Sequence, residues 1–429
     1  MLDRTLAPPV QPLARVTLPD AAVSTLPGGA RLHVLHNAAQ PVVRLQAVFR
    51  AGKLAEPKPG LALLTARMLL EGTATRSARQ IADEVAFYGA SLECEAGLDR
   101  ATLTLYCLTR HLPTLLPLVQ DVLANPAFPA AELAQLKTRT LQNVQVERQK
   151  TAHLATERFN EALFGAKNPY GRPFDDAGFE ALTADDAHTF HALSYLVKGA
   201  ELFLSGDVAG LEPAVAAVFS RSPDVGNARP VTPVAANTAT SPSTAVLRVP
   251  LAGSLQASLR IGRHWPGLNS PDTHRLNLLV KVLGGYFGSR LMRNIREDKG
   301  LTYGIYASVA PRERGTSLVI GTDVKGDQAD FALAEIQGEL RRLQEERIPE
   351  EELQTVKSYV LGKFANELST VFEQSDKYKA LIMLGLTADY YTAFVQQIES
   401  ATAEELQALA QEYLSPESLQ VVIAGPDAA

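Results

Sequence analysis

The chain has 429 residues, 46% hydrophobic and 21% charged, enough for two or three ordinary domains with full cores. Its 41 Lys and Arg against 47 Asp and Glu give a net charge of −6, so it has no basic excess to neutralise a nucleic-acid backbone. Two cysteines, Cys94 and Cys107, exclude a disulfide framework or a cysteine-rich zinc module, and no apolar run approaches the roughly 18 residues of a membrane-spanning helix.

From the start of the chain, Pro8, Pro9 and Pro12 stand where a signal peptide would carry an apolar stretch. The expected location is therefore the cytoplasm, or the periplasm for a chain whose signal has been removed. Segments 31–35 and 42–50 alternate or run β-branched and read as strands, with His33 and His36 solvated. Glu56-Pro-Lys-Pro-Gly60 breaks the chain before a helix over 61–71, which Gly72 closes, and a second helix spans 77–87. Segments 91–96 and 101–108 form a hairpin around Gly97-Leu-Asp-Arg100, with Cys94 and Cys107 on facing strands as buried free thiols. Helices follow over 112–124 and from Pro129, which suits a first turn, to about 164. His188 and His191 are spaced like metal ligands but lack a third, and Asp185 and Asp186 suit the first turn of their helix, so both read as surface histidines.

The sequence repeats itself. Leu45-Gln-Ala-Val-Phe-Arg-Ala-Gly52 returns as Leu255-Gln-Ala-Ser-Leu-Arg-Ile-Gly262, and Phe128-Pro-x-x-Glu-Leu-x-x-x-Lys137 as Ile348-Pro-x-x-Glu-Leu-x-x-x-Lys357. Thr183-Ala-Asp-Asp186, Tyr195-Leu196 and the apolar run before Asp207 return before Asp427 in the same order. Between the copies, 220–245 holds four prolines among Ser, Thr, Ala and Asn and reads as an extended linker. The expected organisation is residues 1–219, a linker over 220–245, and residues 246–429. Each copy is an α+β domain with a mainly antiparallel sheet and helices on one face.

Two stretches bear on chemistry. The first is Gly60-Leu-Ala-Leu63-Leu-Thr-Ala66-Arg67-Met-Leu-Leu-Glu-Gly72-Thr73. It resembles the helix of the M16 (insulinase or pitrilysin-like) metallopeptidases, approximately G-L-A-H-x-x-E-H-M-x-F-x-G-T. Two histidines four apart share one helix face and can hold zinc together. Here the frame matches at Gly60, Leu61, Ala62, Met68, Gly72 and Thr73, but Leu63 and Arg67 replace the histidines and Ala66 replaces the general-base glutamate. Leu63 and Ala66 have no lone pair to donate, and Arg67 is cationic. The family's third ligand falls near Asn143, with Glu147 close by. Leu61, Leu64 and Met68 then read as core packing.

The second stretch is Gly284-Gly-Tyr-Phe-Gly-Ser289-Arg-Leu-Met-Arg-Asn-Ile-Arg296-Glu-Asp-Lys-Gly300-Leu-Thr-Tyr303-Gly-Ile-Tyr306. Ser289 suits a helix N-cap, Leu291 and Ile295 its buried face, Gly300 its C′ position, and 301–308 a strand. On this stretch alone, Arg296 suits the dipole at a helix C-terminus and Tyr303 a half-buried strand position. The stretch also resembles the M16 pattern S-R-L-x-x-x-[IL]-R-E-x-x-G-L-x-Y, whose arginine and tyrosine bind the substrate carbonyl and help to stabilise the oxyanion, a role suited to preorganised donors.

The resemblance covers nearly the whole chain. It implies an M16B-type subunit of two similar domains that pairs with another such subunit into a clam-shell. It further implies division of labour: an H-x-x-E-H partner holding zinc, the activator of the attacking water, and this chain, without metal or cofactor, donating Arg296 and Tyr303. The implied substrates are unfolded or short peptides added to a sheet edge, with no nucleic acid and no membrane span. The mitochondrial processing peptidase α-subunit shares the outline, but its long glycine-rich loop has only a short counterpart at Gly284, Gly285 and Gly288. The alternative is a proteolytically inactive scaffold or peptide-binding protein of the same fold with no catalytic partner.

Overall fold

A computed structural model describes residues 20–220 and 246–426. The expected linker lies, apart from Ser220, outside the described residues. The first half runs β1 (Ala22–Thr25), β2 (Arg31–His36), β3 (Val42–Phe49), α1 (Leu61–Met68), α2 (Ala78–Phe87), β4 (Ser91–Ala96), β5 (Ala101–Leu108), α3 (Leu112–Ala124), α4 (Ala130–Glu147), α5 (Thr151–Phe164), α6 (Asp176–Glu180), α7 (Ala184–Ser194), β6 (Glu201–Gly206) and α8 (Glu212–Phe219). The second runs β7 (Leu247–Pro250), β8 (Gln256–Trp265), α9 (Thr273–Gly284), a π-helical segment Met292–Asp298, β9 (Ile305–Ala310), β10 (Thr316–Lys325), α10 (Ala329–Glu345), α11 (Glu350–Asn366), α12 (Val371–Leu384), α13 (Tyr390–Ser400), α14 (Ala403–Tyr413) and β11 (Gln420–Gly425).

The strands form two mainly antiparallel sheets, ordered β1-β2-β6-β3-β5-β4 and β7-β11-β8-β10-β9. Without β1 the orders coincide strand for strand, including the single parallel pair in each, β2 with β6 and β7 with β11. The fold is thus α+β, one unit built twice. Its helix caps repeat as well. Thr183 and Asp186 form a capping box on α7, and Thr402 and Glu405 form one on α14. Lys137 Nζ donates to the Leu182 carbonyl at 2.8 Å and Lys357 Nζ to that of Glu399 at 2.9 Å.

One sequence match is out of register. Arg44 pairs with Ser205, and Ser258 pairs with Ala424, so Leu45 corresponds to Leu259 and not to Leu255. Leu45 is buried, whereas Leu255 lies outside β8 and is 87% exposed. The four-residue slip keeps side-chain parity, which is why the short motif aligns well by eye.

The halves exchange a helix. α5 packs on β8 and β11 of the second sheet, and α12 packs on β6 and β2 of the first. Each covers the sheet face opposite the helices of that sheet's own half. Accordingly, β6 and β11 are buried along their whole length, whereas β5 alternates between buried and accessible residues. Under α12, Arg44 makes a two-armed pair with Asp376 at 2.9 and 3.1 Å, and Lys379 donates to Gln46 at 2.9 Å. His33, expected in solvent, is 1% exposed; its Nε2 meets Glu201 at 2.8 Å and its Nδ1 the Tyr378 hydroxyl at 3.0 Å. Beneath α5, Thr151 and Ser258 share a hydrogen bond of 2.8 Å, and His264 Nε2 donates to the Leu163 carbonyl at 2.7 Å.

This exchange explains a departure from expectation. The single helix anticipated from Pro129 to about 164 is interrupted at Arg148–Lys150, dividing α4 from α5. No proline or glycine marks the break; the chain turns there to reach the second sheet. Similarly, the strand anticipated over 301–308 begins only at Ile305. The two thiols do not face each other: Cys94 lies opposite Leu103, and Cys107 pairs with Val43 on the other side of β5.

Candidate functional site

The frame of α1 is occupied by packing. Gly60 adopts φ +83, and a Cβ there would lie 2.5 Å from the Phe179 ring. Leu61, Leu64 and Met68 are buried. The Ala62 amide donates at 3.1 Å to Glu56, whose other oxygen takes the Arg172 guanidinium at 2.6 Å. Burial pushes the Glu56 carboxyl up, against the opposing pull of those donors. Past the helix, Gly72 adopts φ +139 and the Thr73 hydroxyl donates to Asp121 at 2.6 Å. Burial alone would raise the Asp121 carboxyl, but Thr73, Asn125, Thr75 and Arg76 donate to it and bring it down to about 2.

The chemical positions are different. Leu63 is half-buried, Ala66 is fully buried, and Arg67 is exposed with no hydrogen bond or ion pair among the described residues. Arg67 and Asn143 line one open pocket of about 430 Å³ between α1, β4 and α4, together with Glu71, Glu93, Arg139 and Thr140. Asn143, where the resemblance puts the family's third ligand, thus borders the same opening as Arg67. Glu147, one turn further on, instead pairs with Lys150 at 2.5 Å. Arg139 stands 3.7 Å from Glu71, and burial followed by Glu132 raises the Glu71 carboxyl. The lining sets the carboxylates Glu71 and Glu93 beside the guanidinium groups of Arg67 and Arg139, and the described residues hold no cluster of three His, Cys, Asp or Glu suited to a metal.

The second stretch forms a corner. α9 ends at Gly284, where a Cβ would lie 2.8 Å from Ala307 on β9, so glycine lets helix and strand touch. The π-helical segment buries Leu291, Met292 and Ile295, and Gly300 stops it at φ +62. π-helical turns are rare and often accompany functional sites. Ser289 does not cap through its side chain: its hydroxyl is buried without a partner, and its carbonyl accepts from the Arg293 amide at 2.9 Å. The segment is tied down by Arg290, paired through two arms with Glu352 at 2.9 Å, and by buried Asn294, which donates to Glu339 at 2.6 Å.

On this rigid base, Arg296 and Tyr303 lie on either side of Gly300. The Arg296 guanidinium stacks 4.6 Å from the centre of the Phe287 ring and makes no hydrogen bond or ion pair among the described residues. Thr302 donates to the Asp323 carbonyl at 2.7 Å and accepts from the Gly304 amide at 3.1 Å, which fixes the backbone around Tyr303. The Tyr303 ring is 97% exposed, not half-buried in a strand. Phe287, 62% exposed between glycines, was not anticipated as part of this corner; an aromatic residue in a glycine-rich connection was the available signal.

His188 and His191, spaced like metal ligands, have other contacts. His191 Nε2 donates to the Leu123 carbonyl at 3.0 Å, and burial brings its ring down to about 4; His188 is exposed and edges onto Phe128. No helix among the described residues is long and apolar enough to cross a membrane.

Two family models match the chain, and the second of them begins within the first half. Residues 32–174 match the insulinase (peptidase family M16) model, and residues 181–360 match the M16 inactive-domain model. The chain belongs to the M16 peptidase family. A Mycobacterium leprae protein named an uncharacterized zinc protease is 24% identical over 406 residues, covering 91% of this chain and 89% of that protein. A Mycobacterium bovis protein of the same description is 27% identical, with coverage of 67% and 66%. Among solved structures, an M16 inactive domain from Pseudomonas fluorescens superposes with a TM-score of 0.84 at 25% identity, covering 95% of this chain and 99% of that one. A Helicobacter pylori protease shares the fold, with a TM-score of 0.86 at 18% identity and coverage of 95% and 100%. Within this M16 chain, no H-x-x-E-H occurs anywhere in the sequence.

Proposed function

We propose that this chain is the non-catalytic subunit of a heteromeric M16 zinc peptidase. Residues 1–219 and 246–429, joined through 220–245, form half of a chamber for unfolded or short peptides. A partner of similar length carries the H-x-x-E-H helix and the zinc, which supplies an activated water and polarises the scissile carbonyl. This chain contributes Arg296 and Tyr303 as donors toward that carbonyl as negative charge develops on its oxygen.

The observation that carries the reading is the contrast within this one chain. The α1 helix has packing residues and none of the family's donors, while Arg296 and Tyr303 make no hydrogen bond or ion pair among the described residues. A guanidinium committed to a carboxylate would have little to offer a substrate; among the described residues this one rests on the Phe287 ring and no carboxylate. Donation from two preorganised groups stabilises the transition state more than the ground-state amide, so its loss lowers turnover.

The test is co-purification with an H-x-x-E-H subunit, followed by peptide cleavage. Arg296→Ala or Tyr303→Phe lowers turnover by about 10²–10³ if each acts as an oxyanion donor. Unchanged turnover removes them from the mechanism. Tight assembly without hydrolysis by any partner favours the scaffold of the same fold.

A further inference from the structure

A cavity of about 320 Å³ opens between α9, α11, α12 and α13 in the second half, well away from α1. Its walls are largely apolar, with Leu278, Phe364, Tyr391 and Phe394 among them. Yet three lysines also line it, Lys281, Lys363 and Lys377, against a single carboxylate, Glu367. Glu367 is already engaged: Lys377 lies 2.5 Å from one oxygen and Lys363 3.8 Å from the other. Lys281, half-buried on α9, has no hydrogen bond or ion pair among the described residues. Burial pulls its amine down from the ordinary lysine value, and Lys363 and Lys377 add to this while Glu367 opposes it. An apolar wall beside an uncompensated cation is the arrangement that suits a ligand with one anionic end.

The repeat adds a second observation. α4 starts after Pro129 and α11 after Pro349, so Lys363 occupies in the second half the position that Asn143 occupies in the first. Asn143 lines the first pocket and Lys363 the second. Corresponding helices thus border an opening in both halves, mixed in charge in one and with excess positive charge in the other.

We propose that this cavity binds a carboxylate carried on an apolar body, with Lys281 as its counter-ion and Lys363 and Lys377 adding to the positive field. Two sources share that chemistry: a medium-chain alkanoate and the free C-terminus of a peptide ending in an apolar residue. The site requires neither Arg296 nor Tyr303, so it stands or falls apart from the peptidase reading.

The experiment is calorimetric titration of the full chain with four probes. These are sodium decanoate, decanol, the tripeptide acetyl-Ala-Ala-Phe with a free carboxylate, and its C-terminal amide. At least one acid binds about tenfold or more tightly than its neutral counterpart, the size of one charge-assisted hydrogen bond. Preference for decanoate assigns the cavity to aliphatic acids, and preference for the peptide acid assigns it to chain termini. Lys281→Met keeps the apolar stem and removes the preference, with far-UV dichroism and the unliganded melting point unchanged. Should that variant fail to fold, Lys363→Gln, at an exposed position, reduces the preference by a smaller factor. Equal binding of acid and neutral probes, no binding of either acid, or a full preference retained in the folded variants overturns the proposal.

Discussion

The pocket beside α1 and the corner around Gly300 are both built from motifs of one family, yet they have fared in opposite ways. Around α1, the residues that shape the backbone remain. Gly60 clears Phe179, Ala62 is held by Glu56, Thr73 is held by Asp121, and Leu64 and Met68 fill the core. By the resemblance, Leu63, Arg67 and Asn143 stand at the family's metal-ligand positions and Ala66 at its general-base position. At the corner, the packing residues are present beside Arg296 and Tyr303, the pair that the proposed function uses. Leu291 and Ile295 are buried, while Arg296, on the Phe287 ring, and exposed Tyr303 make no hydrogen bond or ion pair among the described residues. In this sequence α1 keeps residues that pack it into the fold while carrying none of the family's zinc-helix side chains; of those positions Ala66 is itself buried, Leu63 half-buried and Arg67 exposed.

That separation can be tested within one helix. Leu64→Ala empties a fully buried site and costs about 2–5 kcal/mol of unfolding free energy, whereas Arg67→Ala, three residues on, stays within about 0.5 kcal/mol. Denaturant titration of both variants checks this; comparable losses would mean that Arg67 carries a structural contact.

A smaller effect comes from the exchanged helix α12. Tyr378→Phe leaves the Nδ1 of buried His33 without its partner and costs about 1–3 kcal/mol. The same cluster depends on pH. Burial would raise the Glu201 carboxyl, but hydrogen bonds from His33 and Arg31 outweigh it and hold it below the usual value. A depressed carboxyl stabilises the fold above its unfolded value and loses that contribution as pH falls through the folded one. The melting point of the wild type therefore falls on acidification below the ordinary glutamate range, and that of Glu201→Gln falls less steeply.

Asp121 sharpens the comparison at the end of the α1 frame. Its folded carboxyl sits at about 2, against an ordinary 3.8. Its contribution is complete above 3.8 and is lost as pH drops toward 2. Thr73→Val removes one donor and narrows that window, which an acid-unfolding series would register.

At the corner, Phe287→Leu removes the aromatic face under Arg296. The expected loss is the smallest of the set, about 0.5–1 kcal/mol of arginine placement, read as a few-fold fall in turnover of the assembled peptidase with stability unchanged. A loss as large as that of Arg296→Ala would make Phe287 a substrate contact in its own right.

Much of this architecture is legible in the sequence. The 91–96 and 101–108 hairpin, the start of α1 behind Gly60, the capping boxes at Thr183 and Thr402, and the repeat itself all rest on local signals. Such signals are strong where turn and cap chemistry act over a few residues. Features set by distant partners are not legible in this way. His33 is buried only because α12 arrives from the other half, and the break after Glu147 exists only because α5 leaves for the other sheet. Ser289 looks like a cap because serine often is one, but the π-helical turn displaces its hydroxyl. The match at Leu255 fails because parity, not register, is what a short strand motif records. For the candidate site, the resemblance of 60–73 to the M16 helix is what points to Leu63, Ala66 and Arg67. The aromatic support under Arg296 and the lysine-lined cavity require the packed helices to be seen.

The most direct measurement is peptide hydrolysis by the purified chain alone and after mixing with an M16 subunit that carries H-x-x-E-H. The expected result is no cleavage by this chain, no near-stoichiometric zinc bound to it, and cleavage by the mixture that depends on Arg296. Peptide digestion by the chain alone, with a divalent metal held tightly, would contradict the division of labour on which the functional reading rests.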